Sequence, residues 1–354
     1  SASQYTRIAA FRAVRAVGSE QDQEEIRNSF LVEAAELDRD WLAELTKETA
    51  PTQDTIKWLL ECLGKTQENE RYSVDRLSDA VSTFVQAAGL DQLPELLIGF
   101  NQLLNTPPVI ERRFCEISQK FTWLMTPASQ AVERLIEARH TASLQPAVLA
   151  ILDKFGMGRH YLDSELNDAR TKFSTLVPEW PELKRALFWY EINLARERRD
   201  EKRNERLTDF WSVFVMEPFW RFGAEDFDYV SEQIATQPFQ DDKLVALSLA
   251  FRLYITNDRP RLWREKLKRL VSGNTELSDE LDKFLNPPAQ GKDARAWKRQ
   301  EAQWKRRSEE RKRKEEKDLA DSKKYLGENL DKLRDPSLTK PGYVFNGLTY
   351  LHER

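Results

Sequence analysis

The tripeptide Gly64-Lys65-Thr66 is the first candidate for chemistry, because it matches the end of a phosphate-binding P-loop. That loop has a second glycine five residues earlier, and it lies between a strand and a helix. Here Leu59 occupies the position of that glycine, and the preceding residues have the apolar spacing of an amphipathic helix. The pattern therefore predicts that Gly64 ends a helix, and it predicts no nucleotide site.

Metal and acid–base chemistry has few candidates in this sequence. The three histidines, His140, His160 and His352, belong to no HExxH motif, and the two cysteines are not in CxxC spacing. An alternative is a metal or acid–base site in FGMGRHYLDSELNDA, which contains Gly156, Gly158, His160, Asp163 and Glu165. Acidic residues are also typical of the first turn of a helix, and we favour that interpretation. We therefore expect no catalytic residue, no metal and no cofactor.

Helical periodicity runs through most of the chain. In RIAAFRAVRAVG, Ile8, Phe11 and Val14 mark one apolar face, and Gly18 fits a C-terminal cap. The stretches TQDTIKWLLECLG and SVDRLSDAVSTFVQAAG repeat this arrangement. Sustained alternation of period two is missing from the sequence. The predicted fold class is all-α.

Start signals predict further helices. TPPVIERRFCEISQKFTWLM and TPASQAVERLIEARH have Pro directly after Thr106 and Thr126, where a proline in the first turn costs no hydrogen bond. TASLQPAVLAILDKFG begins at Thr141, and Pro146 marks a delayed start. DRPRLWREKLKRLVSG is predicted to start at an Asp258 cap.

Composition and periodicity together predict three regions. RIAAFRAVRAVG looks like a helix of a HEAT-type repeat, and the interval from Gly18 to Gly64 matches a repeat of about 40–47 residues. After Val177 the sequence becomes rich in aromatic and charged residues, and Pro287-Pro288 closes this part. The predicted regions are a HEAT-like helical array at 1–178, an aromatic-rich helical unit at 179–288, and a long charged helix with a helical tail at 289–354.

Aromatic density makes one segment the best candidate for a partner-binding surface. Between Phe210 and Tyr229 the aromatic residues are concentrated enough to line a pocket for an apolar or peptide ligand. Aromatic residues at helical spacing also form cores, which is the alternative interpretation. The candidate partner-binding residues are Trp211, Phe214, Phe219, Trp220 and Phe222.

A charged stretch precedes the C-terminus. Residues 305–318 contain no apolar side chain, while Trp297 and Trp304 precede them and a leucine stripe resumes at Leu319. Acidic residues stand four positions before basic ones, which stabilises an exposed helix. We predict one helix over about 295–334 that crosses solvent between two contacts with protein. The alternatives are a coiled-coil partner and a nucleic-acid arm with a basic surface at Arg306, Arg307, Arg311 and Arg313.

Charge limits the nucleic-acid interpretation. From Lys292 to Asp318 there are twelve basic and seven acidic residues, and interspersed acids repel phosphates. The whole chain has a net charge of −4 and so no general attraction to polyanions.

No apolar run reaches membrane length, and cysteine is rare, from which we expect a cytoplasmic protein. The sequence starts without Met, almost inside a helical pattern, and we expect it to be part of a longer polypeptide.

Three segments carry a family resemblance. NERLTDFWSVF, FQDDKLVALSLAFRLYI and WKRQEAQWKRRSEERKRKEEKD resemble the C-terminal helical region of large bacterial STAND/NACHT-type ATPases, some of which act in antiviral defence. In such proteins an ATPase module drives oligomerisation, and the helical array senses a trigger. The nucleotide-binding motifs of the family are missing from this sequence, so the resemblance implies a sensor or scaffold portion and assigns no site residue.

The predicted function is non-catalytic recognition of a protein partner, or scaffolding, by a helical array. One alternative is a nucleic-acid-binding helical protein that uses the basic stretch 292–318, which would need a positive groove extending beyond it. A second alternative is a helical enzyme whose site is assembled from scattered residues, which would need a deep pocket with titratable groups.

Overall fold

The structure is a computed structural model. It describes residues 4–33, 37–66, 76–112, 115–157, 164–198, 207 and 217–286, together with isolated helical positions at 299, 302, 306, 309, 313, 316, 317, 319–321, 323, 324 and 327. The described residues are mostly helical, which confirms the all-α fold class. Contacts divide the chain into two compact units, Ser1–Arg221 and Phe222–Arg354.

The first unit contains eleven described α-helices and one hairpin. The helices are α1 Gln4–Val17, α2 Glu20–Glu33, α3 Arg39–Lys47, α4 Gln53–Gly64, α5 Arg76–Ala87, α6 Leu93–Leu104, α7 Met125–Glu137, α8 Pro146–Met157, α9 Ser164–Leu176, α10 Pro181–Arg198 and α11 Glu217–Trp220. The strands of the hairpin are β1 Val109–Arg112 and β2 Cys115–Ser118.

Contacts in this unit connect helices that are two positions apart along the chain. The odd-numbered helices form one series, in which α1 contacts α3, α3 contacts α5, α5 contacts α7 and α7 contacts α9. The even-numbered helices form a second series from α2 through α4, α6 and α8 to α10. Sequential neighbours such as α6 and α7 also touch. The apolar side chains between these helices form the core of the unit.

Helix α4 illustrates how the sequence produces these elements. Thr52 is its N-cap, and its hydroxyl accepts a hydrogen bond from the Thr55 N–H, while the Thr55 hydroxyl accepts from the Thr52 N–H. This reciprocal pair satisfies two donors at the helix start. The apolar face then buries Ile56, Leu59 and Leu63 completely.

The segment 106–125 differs from its prediction as a helix. It contains an antiparallel hairpin in which Ile110 pairs with Ile117 and Arg112 pairs with Cys115. Gln119 N–H donates to Pro108 C=O at 2.9 Å and extends the pairing. Two successive prolines at 107–108 remove two backbone donors and disfavour a helix at Thr106, which explains why the start signal failed.

Two other threonine start signals also differ from their predictions. Helix α7 has Leu124 as its N-cap, because a 3-10 turn at Thr122–Leu124 leads directly into it. Another 3-10 turn, Thr141–Leu144, is capped by His140, whose Nδ1 accepts from the Ala142 N–H. Helix α8 then begins at Pro146, which confirms the predicted delayed start.

The second unit contains four described α-helices: α12 Phe227–Thr236, α13 Gln240–Thr256, α14 Arg261–Val271 and α15 Thr275–Leu285. Here too α12 contacts α14 and α13 contacts α15, while consecutive helices also contact each other and are joined by short turns. Helix α13 has buried residues around most of its circumference, as its apolar sequence predicts. A 3-10 turn at Ala224–Asp226 precedes α12.

The predicted Asp258 cap is wrong. The N-cap of α14 is Pro260, whose φ of −57° suits the start of a helix. Asp258 and Arg259 have positive φ values of 60° and 56°, and the Arg259 N–H donates to the Tyr254 carbonyl at 2.9 Å. Both residues therefore belong to the left-handed turn that terminates α13.

Three predictions about organisation have different outcomes. The division into 1–178, 179–288 and 289–354 is a statement about composition and stays a prediction, while the contacts place a boundary after Arg221. The described positions between 299 and 327 are all helical, but one continuous helix there also stays a prediction. Among the helices that the structure describes, none is both long and apolar enough to span a membrane.

Candidate interaction surfaces

The described members of the predicted aromatic site lie in the core. Phe219 and Trp220 on α11 are each 1% exposed. The Phe219 ring makes an edge contact with Phe173 at 6.5 Å between centroids, and the Trp220 ring makes one with Phe188 at 5.1 Å. These contacts pack α11 against α9 and α10.

Phe222 is also buried, at 8% exposure, and its ring lies 6.2 Å from that of Tyr229 within the second unit. Trp211 and Phe214 lie outside the described residues. Partner binding by this cluster therefore stays a prediction, and the three described side chains offer almost no accessible surface in this conformation.

Two of the four arginines of the predicted basic stretch are described. Arg306 and Arg313 are helical and exposed, and their separation of seven positions puts both on one side of a helix. Arg307 and Arg311 lie outside the described residues. The basic surface at 306–313 accordingly stays a prediction.

The Gly64-Lys65-Thr66 tripeptide closes the end of a helix. Gly64 is the last residue of α4, and Lys65 is its C-cap. The Lys65 N–H donates to Cys62 C=O at 3.0 Å, and the Thr66 N–H donates to Leu63 C=O at 3.2 Å. In a P-loop such N–H groups point at phosphate oxygens. Here they satisfy the last carbonyls of α4, as the sequence predicts for a helix terminus.

His140 connects two loops of the first unit. Its Nε2 lies 3.1 Å from Asp91 Oδ1, and its Nδ1 accepts from the Ala142 N–H. Because Nδ1 is an acceptor, we assign the ring proton to Nε2, which then donates to Asp91. His160 and His352 lie outside the described residues. Within the ranges described above, His, Cys, Asp and Glu side chains form no group of three that could hold a metal ion.

Helix α14 exposes a cluster of positive charge that the sequence analysis did not single out. We define the basic face as Arg261, Arg264, Lys268 and Arg269, whose side chains are all exposed. In the described part of the chain, none of these four side chains forms an ion pair or a hydrogen bond. Leu262 lies beside them and is 81% exposed. The opposite side of the helix carries Leu267, which is fully buried.

Contacts on the inner side hold α14 in this orientation. The Trp263 ring stacks on the Phe227 ring at 3.8 Å between centroids, with 5° between the planes. Lys266 Nζ lies 2.8 Å from Asp228 Oδ1, and it also lies 5.9 Å from the centroid of the Phe227 ring. Rotation of the helix about its axis would break these contacts with α12, so the basic face remains directed outward.

The signal for this surface is visible in the sequence as six basic residues between Arg259 and Arg269. The sequence predicted a helix here but not a basic surface. Which of these basic side chains pair with a carboxylate depends on the fold, so the sequence alone does not show which charges stay exposed and unpaired. Lys266 has a carboxylate partner 38 residues away, whereas Arg264 and Lys268 have none among the described residues.

Comparison with known proteins adds no relative: no family model, no curated protein and no solved structure matches this chain.

Proposed function

We propose that this chain is a non-catalytic recognition or scaffold segment that binds a protein partner through a stacked helical array. The observation that carries the proposal is the contact series in which each helix from α1 to α8 touches the helix two positions further on. Two rows of stacked helices are the arrangement of HEAT-like solenoids. The second unit repeats this contact pattern with α12 to α15.

A stacked array suits recognition for a physical reason. Each helical pair contacts mainly its neighbours, so the outer helix faces form a broad surface made from successive elements. Such a surface binds a large partner through many small contacts, and it needs no deep pocket. In the described residues the polar groups that could suggest chemistry, such as Lys65 and His140, take part in helix caps and loop contacts.

A narrower form of the proposal follows from the family resemblance. The chain would be the sensor portion of a larger bacterial STAND/NACHT-type ATPase in the cytoplasm, with a role in antiviral defence. Nucleotide hydrolysis and oligomerisation would then belong to other parts of the parent protein. Binding of a trigger protein would be the contribution of the array.

The test begins with an affinity capture that uses the 354-residue chain as bait. Any protein captured is then purified separately and titrated against the chain by calorimetry. Hydrogen–deuterium exchange of the complex maps the contact. We expect saturable binding with a fixed stoichiometry, and protection of amides on several successive helices of one series.

The same experiment separates the alternatives. Protection produced by duplex DNA and by no captured protein would favour the nucleic-acid interpretation. Protection confined to one cleft with titratable side chains, together with turnover of a small molecule, would favour an enzyme. Either result would contradict the proposed function.

A further inference from the structure

Among the residues that the structure describes, no carboxylate pairs with the positive charges of the basic face of α14. Arg261, Arg264 and Lys268 are spaced by three and four residues, so they lie along one side of the helix, and Arg269 flanks them. Glu265 is the one acidic residue of α14 and is exposed among them. Elsewhere the unit does pair its charges, as in Lys266 with Asp228 and Lys283 with Glu280. The basic face is therefore available to negative charge from outside the described residues.

Exposed carboxylates lie on two of the helices that contact α14. They belong to α12 and α15, and they are Asp228, Glu232, Glu276, Asp279 and Asp282. A long polyanion placed along α14 would bring its outer phosphates close to these carboxylates, which repel them. A short acidic ligand that covers only the basic face avoids this repulsion. These carboxylates thus favour a compact acidic partner over a nucleic acid.

The length of the basic face and the exposed leucine beside it indicate the size of the ligand and one of its contacts. From Arg261 to Arg269 the helix rises about 12 Å, at about 1.5 Å per residue. Two to three turns of a partner helix, or a short extended segment, cover that length. Leu262 is exposed at one edge, so one apolar side chain of the partner has a contact there.

We propose that the basic face of α14 docks a short acidic segment of a protein partner, with one apolar side chain of that segment against Leu262. This inference rests on the proposed function as a protein-recognition segment, and it names the chemistry of one recognised element. The stacked contact between Trp263 and Phe227 provides a rigid platform, which reduces the entropy lost on binding.

The test uses a fluorescein-labelled peptide and the full 354-residue chain. The peptide is a twelve-residue helix with glutamates on one face and a single leucine beside them, and its control has glutamine in place of each glutamate. We expect saturable binding of the glutamate peptide by fluorescence anisotropy, weakening as salt increases. The double variant Arg264→Glu/Lys268→Glu should weaken it by about tenfold or more.

The matched control variant is Lys47→Glu/Lys57→Glu. Both lysines are exposed on helices of the first unit, and the change in net charge is the same. We expect this variant to bind the glutamate peptide like the parent chain. Circular dichroism of both variants checks that the helices remain folded. Leu262→Ala should weaken binding less than the charge reversals and leave its salt dependence unchanged.

Several results would overturn the inference. One is no binding of the glutamate peptide at physiological salt, and another is equal weakening in both double variants. Tighter binding of a 20-base-pair DNA duplex or of phosphatidylserine vesicles, lost in Arg264→Glu/Lys268→Glu, would assign the face to another class of ligand. None of these outcomes affects the amide protection expected on α1 to α10, so failure of this inference is distinguishable from failure of the proposed function.

Discussion

Lys154 Nζ lies 2.8 Å from the backbone carbonyl oxygen of Glu116, which joins helix α8 to strand β2. The same ammonium group donates to Asn105 Oδ1 at 2.8 Å, and Asn105 is the C-cap of α6. Lys154 is only 7% exposed, so these oxygens replace water around its charge. One buried side chain thereby connects the hairpin to two helices.

Replacing Lys154 by Met should destabilise the protein. Met retains the apolar volume but removes both hydrogen bonds and leaves the Glu116 carbonyl without this donor. We expect the free energy of unfolding to fall by about 1.5–3 kcal/mol, the range for hydrogen bonds to charged groups. Urea denaturation followed by circular dichroism measures it. Lys57→Met on an exposed face should change stability by no more than about 0.5 kcal/mol. Equal stability of the two variants would show that the Lys154 hydrogen bonds contribute nothing to stability.

Arg134 supports the end of a neighbouring helix in a similar way. Its Nη1 donates to Val85 C=O at 2.6 Å, and its Nη2 donates to Ala88 C=O at 2.8 Å. These carbonyls belong to the C-terminal end of α5, where intrahelical partners run out. Arg134→Gln should lower the free energy of unfolding by about 1–3 kcal/mol.

The variant Arg134→Lys separates geometry from charge. Lysine keeps the charge but cannot present the two fixed donors of a guanidinium. We therefore expect a loss of stability intermediate between that of Arg134→Gln and the parent. Faster hydrogen exchange at the amides of α5 checks that the effect is local. Full stability in Arg134→Lys would assign the contribution to charge alone.

The hairpin of β1 and β2 is the part of the fold that the sequence did not predict. The stripes and glycine caps of α1, α4 and α5 were predicted from local spacing, because one helix face determines them. The segment VIERRFCEIS has apolar residues whose spacing is compatible with either a helix or two short strands. Its strand conformation is supported by a contact from Lys154, which lies 38 residues away from Glu116. Local secondary-structure propensity cannot predict a contact between residues so far apart in the sequence.

The candidate surfaces show the same limit. Aromatic density predicted a site at Phe219 and Trp220, but density does not tell a core from a pocket, and both residues are buried. The basic residues before Arg269 were visible in the sequence, but their pairing was not, since Lys266 reaches Asp228 only in the folded unit. Sequence patterns identify residue types, and the fold decides which remain exposed.

Cys62 should make stability depend on pH in the alkaline range. Burial raises the pKa of its thiol from 9.0 to about 12, and the nearby Glu61 carboxylate adds to the increase. The folded state therefore keeps a proton that the unfolded chain loses above pH 9.0. The thiol's contribution to stability is fully present below that pH and is lost as the pH rises toward the folded pKa.

The measurement compares urea midpoints of the parent and Cys62→Ala at several values above pH 9.0. The parent should lose stability more steeply with pH than the variant. Cys62→Ala also removes buried volume, which lowers stability at every pH but adds no slope. Parallel pH profiles would contradict the assigned burial effect.

The helix end at Gly64 predicts how the chain responds to nucleotide. Leu59 is fully buried where a P-loop needs glycine, and the Lys65 N–H is occupied in a helix cap. We expect neither ATP hydrolysis nor tight ATP binding by this chain, and no difference between the parent and Lys65→Ala. Calorimetric titration with ATP and magnesium checks both proteins. Saturable micromolar binding that disappears in Lys65→Ala would show that the tripeptide is a nucleotide site.

Residues 305–318 are the part of the predicted long helix that crosses solvent, and we call this part the strut. Apart from isolated positions, it lies outside the described residues. Among these, Arg306, Glu309 and Arg313 are helical and exposed. If the segment is a strut, its charges interact chiefly within the helix. Neutralising Arg306, Arg307, Arg311 and Arg313 should then change stability modestly, since an exposed ion pair contributes at most about 1 kcal/mol.

Breaking the backbone of the same segment should have a larger effect than removing its charges. Ser308→Pro removes a backbone hydrogen bond and clashes with the preceding turn, which costs about 3 kcal/mol or more in a helix interior. We expect new protease cleavage within 305–318 in this variant and little in the arginine variant, while DNA binding stays weak in both at physiological salt. Ser308→Ala is the matched control, because it keeps the backbone donor. Tight DNA binding abolished by the arginine changes, with protease resistance unaltered by the proline, would show that the segment is a nucleic-acid arm and not a strut.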